Sequence, residues 1–376
     1  MTAGKLFSGF SQQEYEQRIA QVRTTMAERG GDLLLVDQID NMAYLFGYAH
    51  SGARYQAGLL PLVGSPVLIV RRSDLLAARD KSWVEEFVAY EEYDDEVQDV
   101  ARAISEFAPK KLLVEADSNF LTVQRMEKLR SRLGDLEVAD FSGVMWEQRL
   151  IKSPAEIDCL ARASAIADAA IMSGVNAVGV GKSERDPACA TYAAAIELGA
   201  DNGRVAVFGY GSTVANMHGR LGDRTMEAGE LYFIEAVPQV SGYSARIARP
   251  IALAHASAKH QHIAERLVAI QDRQIAAMVP GAISGEVDRL CRDAVLKEGL
   301  KAHFPQVTGY TLGFHAVPRT SDHTRIFMPN ETWRIEAGMV FHIIVYAEGI
   351  PFSETVHVTE NGPRRLTKSN RELFVR

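Results

Sequence analysis

The stretch of sequence that decides the fold is Gly229-Glu-Leu-Tyr-Phe-Ile-Glu-Ala-Val237, followed after a short link by Gly242-Tyr-Ser-Ala-Arg-Ile-Ala-Arg249. Short apolar runs that lie between turn-forming residues are typical of buried β-strands. The pattern therefore predicts strands near Leu231–Val237 and Gly242–Arg249. It also sets Glu235 within the apolar first strand and Arg246, 11 residues later, within the second.

Helices and strands alternate on both sides of this stretch. Ser153-Pro-Ala-Glu156 predicts a helix start, because the serine can cap, the proline fits the first turn and Glu156 completes a capping box. The pattern further predicts helices near Ala188–Leu198, Lys259–Met278 and Gly285–Glu298, and strands near Val205–Phe208, Met339–Tyr346 and Ser353–Thr359. We therefore expect an α+β domain over residues 146–376.

A smaller α/β domain is predicted over residues 1–145. Its elements are a helix within residues 11–30, a strand at Asp32–Asp37, a hairpin of Leu59–Val63 and Pro66–Arg71, a helix over Asp95–Phe107, a strand at Lys111–Glu115 and a helix from about Asn119 to Leu133. Such a mixture is enough to form a hydrophobic core of its own.

The composition excludes several classes of protein. The 376 residues include 41 Lys and Arg against 48 Asp and Glu, a formal net charge of −7, so no basic footprint for nucleic acid is present. The three cysteines lie far apart and indicate neither a disulfide framework nor a zinc ribbon. No apolar stretch approaches the roughly 18 residues of a membrane span, and the N-terminus lacks a signal core. A cytoplasmic protein without nucleic-acid or membrane partners is expected.

Two local signals are weak. Gly179-Val-Gly-Lys182-Ser183 resembles the end of a phosphate-binding loop, but Asn176 stands where the first glycine belongs. The histidines at 255, 260 and 262 lie on or just before a predicted helix and cannot share one face, which favours a solvated surface over a metal site.

Six segments in one order carry a family resemblance. They are Arg149–Ile157, Met217-His218-Gly219, Gly229–Glu235 with Gly242–Arg249, Thr308–Gly313, Gly338–His342 and Phe352–Val356. Together they resemble the pita-bread fold of the creatinase, aminopeptidase P and prolidase family. The resemblance implies a pita-bread catalytic domain preceded by a creatinase-type α/β N-terminal domain.

The peptidases of this family hold two metal ions with the side chains Asp, Asp, His, Glu and Glu. Carried over by position, these ligands fall on the following residues of this chain, in order: Glu235, Arg246, Tyr310, Ile344 and Glu354. A guanidinium and an aliphatic side chain cannot replace the anionic ligands of a divalent metal. No metal or other cofactor is therefore expected.

The remaining residues resemble the metal-free branch of the family, which includes creatinase and ectoine hydrolase. His218 falls where creatinase-like enzymes keep a histidine that carries protons, and an imidazole titrates near neutral pH. Glu235 and Glu354 are expected to face one pocket as further catalytic residues. Arg246 is expected to bind a substrate carboxylate, or alternatively to form a buried cluster with Glu235 that only holds the sheet together.

Other residues are expected to bind the substrate. Tyr310, His342 and His315 lie on or after the motif strands, although His342 could equally be a satisfied core histidine. In the family, dimerisation brings the N-terminal domain of the partner over the active site. The resemblance therefore implies a homodimer. Arg54 and Tyr55 lie in the loop that would reach the active site of the partner.

The leading functional hypothesis is a metal-independent hydrolase. It would cleave a C–N bond of a small, nitrogen-rich and carboxylate-bearing substrate: a cyclic amidine, a guanidino acid, an imide or an amide. Three alternatives remain open: an Xaa-Pro-type peptidase with an atypical metal site, a lyase on the same scaffold, and a non-catalytic binding protein.

Overall fold

The computed structural model describes residues 8–48, 54–201, 205–210 (backbone only), 221–222, 224–316, 321 and 324–376. These residues divide into two compact units, one up to Arg149 with Ala316, the other from Leu150 to His315 with the described residues from 321 onward. The division lies close to the predicted boundary after residue 145. No helix in the described ranges is long and apolar enough to cross a membrane.

The N-terminal unit is a mixed sheet with helices. Its helices are α1 (Gln12–Glu28), α2 (Ile39–Phe46), α3 (Leu75–Lys81), α4 (Glu96–Glu106), α5 (Val123–Leu133) and α6 (Val144–Gln148). Its strands are β1 (Leu33–Val36), β2 (Ala57–Pro61), β3 (Val67–Arg71), β4 (Glu86–Tyr90), β5 (Lys111–Val114) and β6 (Glu137–Asp140). Over the described residues the strand order is β4-β3-β2-β1-β5-β6, with β1 parallel to β5 and antiparallel to β2.

The C-terminal unit is built on a large sheet of mainly antiparallel strands. Its helices are α7 (Pro154–Ala177), α8 (Arg185–Glu197), α9 (Ala258–Ala276) and α10 (Ser284–Lys297). Its strands are β7 (Val205–Tyr210), β8 (Leu231–Ala236), β9 (Gln239–Val240), β10 (Tyr243–Ser244), β11 (Ile247–Ala252), β12 (Gly309–Thr311), β13 (Ile326–Phe327), β14 (Val340–Ala347), β15 (Ile350–Thr359), β16 (Gly362–Arg365) and β17 (Phe374–Val375). In the described part of the chain the main sheet runs β13-β12-β14-β15-β11-β8-β7.

Two local predictions are confirmed in detail. The hydroxyl of Ser153 accepts a hydrogen bond from the Glu156 N–H at 3.2 Å, and the Glu156 carboxylate accepts one from the Ser153 N–H at 2.7 Å. This capping box starts α7 as predicted. The predicted hairpin is formed by β2 and β3, which pair antiparallel.

One other prediction is wrong in part, and some short elements were not predicted. The single strand expected over Gly242–Arg249 is broken into β10 and β11, because the Arg246 N–H donates to the hydroxyl of Thr355 at 2.9 Å instead of continuing a ladder. The short helix α2 was not predicted; it spans eight residues and ends at Gly47, whose φ of 76° suits glycine.

Buried carboxyl groups lie where the parallel strands β1 and β5 end. Asp37 follows β1, and its carboxylate accepts a hydrogen bond from the Tyr55 hydroxyl at 2.7 Å. Glu115 follows β5 and accepts one from the Asn41 amide at 2.5 Å. Burial raises the pKa of Asp37 to about 6, although hydrogen bonds from Ser118 and Tyr55 oppose the shift.

The raised pKa of Asp37 makes the stability of the protein depend on pH. Since the unfolded pKa is about 3.9, the folded state binds the proton more tightly, and stability falls as pH rises from about 4 to about 6. We expect Asp37→Asn to remove the part of the slope that Asp37 contributes, gaining about 3 kcal/mol in the free energy of unfolding relative to wild type across that window. Urea unfolding at half-unit steps from pH 4 to pH 7 measures the difference.

The exposed residue Asp135 offers a matched control. Asp135→Asn should follow the wild-type profile at every pH. A constant difference between wild type and Asp37→Asn over the whole range would contradict the prediction, since a lost hydrogen bond alone carries no pH dependence.

Candidate active site

Strand register places Glu235 in a row of side chains on one face of the main sheet. Ala248 of β11 pairs with Glu235 of β8 on one side and with Ser353 of β15 on the other. Ser353 in turn pairs with Ile344 of β14. Directly paired residues share a face, whereas successive residues along a strand alternate between faces. We call the face that carries these four residues the Glu235 face.

A second row lies beside the first on the same face. Thr355 is two residues beyond Ser353 and pairs with His342, which pairs with Tyr310 of β12. The hydroxyl of Thr355 accepts a hydrogen bond from the backbone N–H of Arg246 and donates one to the backbone carbonyl of Arg246, each at 2.9 Å. These two hydrogen bonds lie at the break between β10 and β11 and fix the Arg246 backbone, so that its side chain is positioned over the sheet.

The Arg246 guanidinium holds the two rows together. Its Nε lies 2.5 Å from Glu235 Oε1 and its Nη2 lies 2.7 Å from Glu235 Oε2, a bidentate ion pair. Its Nη1 donates to the Tyr310 hydroxyl. Glu235 and Arg246 are both 4% exposed, so the pair is buried.

His342 lies against this ion pair. Its Nε2 is 3.7 Å from Glu235 Oε1, and its ring centroid is 4.9 Å from that of Tyr310. Burial and the nearby Arg246 charge hold the pKa of His342 well below its usual range, so the imidazole is neutral.

The other two groups keep their protons. Burial raises the pKa of Tyr310 above its usual value, although the Arg246 charge opposes this. Burial alone would lower the pKa of Arg246, but the charge of Glu235 more than offsets that effect and raises it. The guanidinium therefore stays charged, and Glu235 compensates its charge.

This donor set does not fit the metal pair that the family resemblance implies. Arg246 fills the space beside Glu235 with a cation, and Ile344 offers no donor atom. Among the described residues, no group of three or more His, Cys, Asp or Glu side chains could hold a metal ion.

The expectation that Glu235 and Glu354 face one pocket is wrong. Ser353 shares the Glu235 face, and Glu354, the next residue, points to the opposite face. There its Oε1 lies 2.8 Å from Nη2 of Arg249, and it accepts a hydrogen bond from Thr367. The position of the family's last metal ligand therefore corresponds to Ser353, one residue before the predicted Glu354. The Ser353 hydroxyl lies on the same face as Glu235.

Sequence reasoning missed Ser353 and Thr355 as members of this face. The segment Phe352-Ser-Glu-Thr-Val356 alternates with period two, so its serine and threonine had to share one face and its glutamate the other. This alternation can be recognised in the sequence alone. Which face meets Glu235 depends on pairing with β11, which is not local to the segment.

The other predicted residues lie as follows. His315 is buried in the C-terminal unit, where its backbone N–H donates to the Gly242 carbonyl at 2.8 Å. Tyr55 is buried in the N-terminal unit against Asp37, and Arg54 at the surface pairs with Glu96 at 2.6 Å. His218 lies outside the described residues. The substrate-binding roles of Arg54, Tyr55 and His315 and the catalytic role of His218 stay predictions.

Comparison with protein families agrees with this architecture. Residues 158–360 match the metallopeptidase family M24, and residues 18–151 match the creatinase/prolidase N-terminal domain. The solved prolidase of Pyrococcus horikoshii has the same fold, with a TM-score of 0.82 at 23% identity, covering 95% of this chain and 99% of the prolidase.

Curated relatives carry two different activities in their names. An Xaa-Pro dipeptidase of Pyrococcus horikoshii is 26% identical over 336 residues, which is 85% of this chain and 91% of the relative. An ectoine hydrolase of Halomonas elongata is 26% identical over an alignment of 396 residues, covering 98% of each chain. Both names are those of hydrolases. The predicted pita-bread fold and the N-terminal domain of the creatinase type are thereby confirmed, and the chain is a hydrolase that belongs to the metallopeptidase family M24.

Proposed function

We propose that this chain is a metal-independent hydrolase that cleaves a C–N bond of a small, nitrogen-rich substrate. The single observation that carries the proposal is the buried bidentate pair of Arg246 and Glu235, which puts a fixed cation where the family's peptidases hold metal. A fixed guanidinium can stabilise negative charge that develops on a substrate oxygen, as a metal ion otherwise does.

The proposed steps use residues of this chain alone. A water attacks the carbon of the C–N bond, and His218 takes the water's proton as general base. Arg246 donates N–H bonds to the oxygen on which charge develops. When the C–N bond breaks, His218 returns the proton to the leaving nitrogen. Glu235 and Tyr310 hold Arg246 in place through the three hydrogen bonds described above.

Metal removal tests the proposal directly. Protein treated with a strong chelator, its metal content checked by elemental analysis, is assayed with cyclic amidines, guanidino acids, imides, small amides and Xaa-Pro dipeptides. We expect turnover of a non-peptide substrate that neither chelation nor added Mn²⁺ or Co²⁺ changes. His218→Ala should lower that turnover by about 10²-fold or more.

Opposite results would support other functions. Xaa-Pro dipeptide hydrolysis that is lost on chelation and restored by stoichiometric metal would establish an atypical metallopeptidase, the function in the name of the Pyrococcus relative. Incorporation of no solvent oxygen-18 into the product would indicate a lyase. The homodimer that the resemblance implies is part of the proposal, and light scattering on the purified chain tests it.

A further inference from the structure

Two buried polar side chains on the Glu235 face have no hydrogen-bond partner in the part of the chain that the structure describes. His342 and Ser353 are both fully buried, and neither ring nitrogen of His342 nor the Ser353 hydroxyl makes a hydrogen bond there. Buried polar atoms in native proteins are nearly always satisfied by protein, water or ligand. Both side chains therefore have hydrogen-bonding capacity that a group bound on this face can use.

Arg246 offers further donors to the same place. A guanidinium carries five N–H groups, of which two are used by Glu235 and one by Tyr310. The two remaining N–H groups can donate to a single oxygen atom. Between Glu235 and Ser353 the row contains only the methyl group of Ala248, so no large side chain of that row covers the face there.

The charges on this face are already balanced. The Glu235 carboxylate compensates the Arg246 guanidinium, while His342 and Tyr310 are neutral for the reasons given above. A charged group bound here would find no uncompensated partner among the described side chains of the face. Burying a charge without such a partner is unfavourable.

We infer that the group bound on the Glu235 face is an uncharged amide or imide, rather than an amidinium, a guanidinium or a carboxylate. Its carbonyl oxygen accepts from the free N–H groups of Arg246, and its N–H donates to His342 or Ser353. The inference rests on the proposed function and narrows its substrate class. A carboxylate elsewhere on the substrate would have to be held away from this face.

Binding of three small probes to the full-length chain tests the inference. The probes are succinimide, 2-methylimidazolinium and cyclopropanecarboxylate, which are an uncharged imide, a cation and an anion of similar size. Isothermal titration at pH 7.5 should show succinimide binding at least about tenfold more tightly than either charged probe. Ser353→Ala should weaken succinimide binding by about tenfold, because one buried hydrogen bond is lost.

Ser173→Ala, a change at a half-buried serine of α7 whose hydroxyl donates to the Ala169 carbonyl, is the matched control and should leave binding unchanged. Equal or tighter binding of a charged probe, no measurable binding of succinimide, or an unchanged affinity in Ser353→Ala would overturn the inference. The proposed function fails separately: succinimide binding without metal-free turnover of any substrate refutes the hydrolase mechanism but leaves the ligand class standing.

Discussion

Replacing Arg249 with methionine should lower the free energy of unfolding by about 3–5 kcal/mol at pH 7.5. Arg249 and Glu354 are both fully buried, and removing Arg249 leaves the Glu354 carboxylate with the longer contact to the partly exposed Arg365, whose Nε lies 3.8 Å from Glu354 Oε2. The guanidinium also donates to the carbonyls of Ser369 at 3.0 Å and Asn370 at 2.7 Å, so the C-terminal segment loses an anchor as well. Urea unfolding followed by circular dichroism measures the change.

The pH dependence of this loss is a second readout. Burial raises the pKa of Glu354 even beside Arg249, and without Arg249 the carboxyl group should hold its proton to still higher pH. A protonated Glu354 needs no cation, so the deficit of Arg249→Met should shrink as pH falls towards 5. A deficit that stays constant with pH would show that the lost carbonyl contacts, not the charge, cause it.

Two control variants separate the ion pair from general damage. The double variant Arg249→Met with Glu354→Leu should recover much of the lost stability, because replacing both charges by apolar groups removes the unpaired ion. Arg266→Met removes an exposed pair with Glu298 in the same unit and should change stability little. A single variant Arg249→Met as stable as wild type would refute the prediction.

Replacing Arg246 with methionine should abolish most of the activity and also destabilise the protein. Glu235 would lose both of its hydrogen-bond donors while remaining buried, at a cost of about 3 kcal/mol in the free energy of unfolding. If Arg246 stabilises charge on the substrate oxygen, kcat/KM should fall by about 10²–10³-fold.

A compensating change distinguishes a catalytic Arg246 from a structural one. Arg246→Met with Glu235→Leu should regain stability, since no buried charge is left unpaired, but not activity. Arg246→Lys keeps the charge and loses the planar fork, so it should retain more stability than activity. If the stabilised double variant regained wild-type kcat/KM, Arg246 would have only the structural role.

The sequence predicted most elements of the fold because the signals for them are local. The capping box of Ser153 and Glu156 involves neighbouring residues, and the hairpin of β2 and β3 has its turn between them. The family motifs added the order of the catalytic strands. The helix α2 was missed because eight residues give too few turns for a periodicity to stand out.

The error at Glu354 has a different origin. Its strand was predicted, but which of its two faces meets Glu235 is decided by pairing with β11, about a hundred residues away in sequence. Shifting a strand by one residue exchanges its faces, so a one-residue error in transferring a motif placed a carboxylate where Ser353 lies. The ion pair of Arg246 and Glu235, whose members are 11 residues apart, was predicted as the alternative to binding of a substrate carboxylate by Arg246.

The environment of β11 constrains the order in which the protein can assemble during synthesis. Its neighbour β8 leaves the ribosome just before it, but Ser353 and Asn370, whose carbonyls accept from Arg249, follow 104 and 121 residues later. β17, which pairs with β11 at Ile251 and Ala252, comes later still. The N-terminal unit, with its own core, can fold while translation continues, whereas the buried charge of Arg249 finds its partners only after the last strands emerge. Until then the nascent catalytic unit exposes an unfinished sheet, the stage at which a chaperone would be of most use.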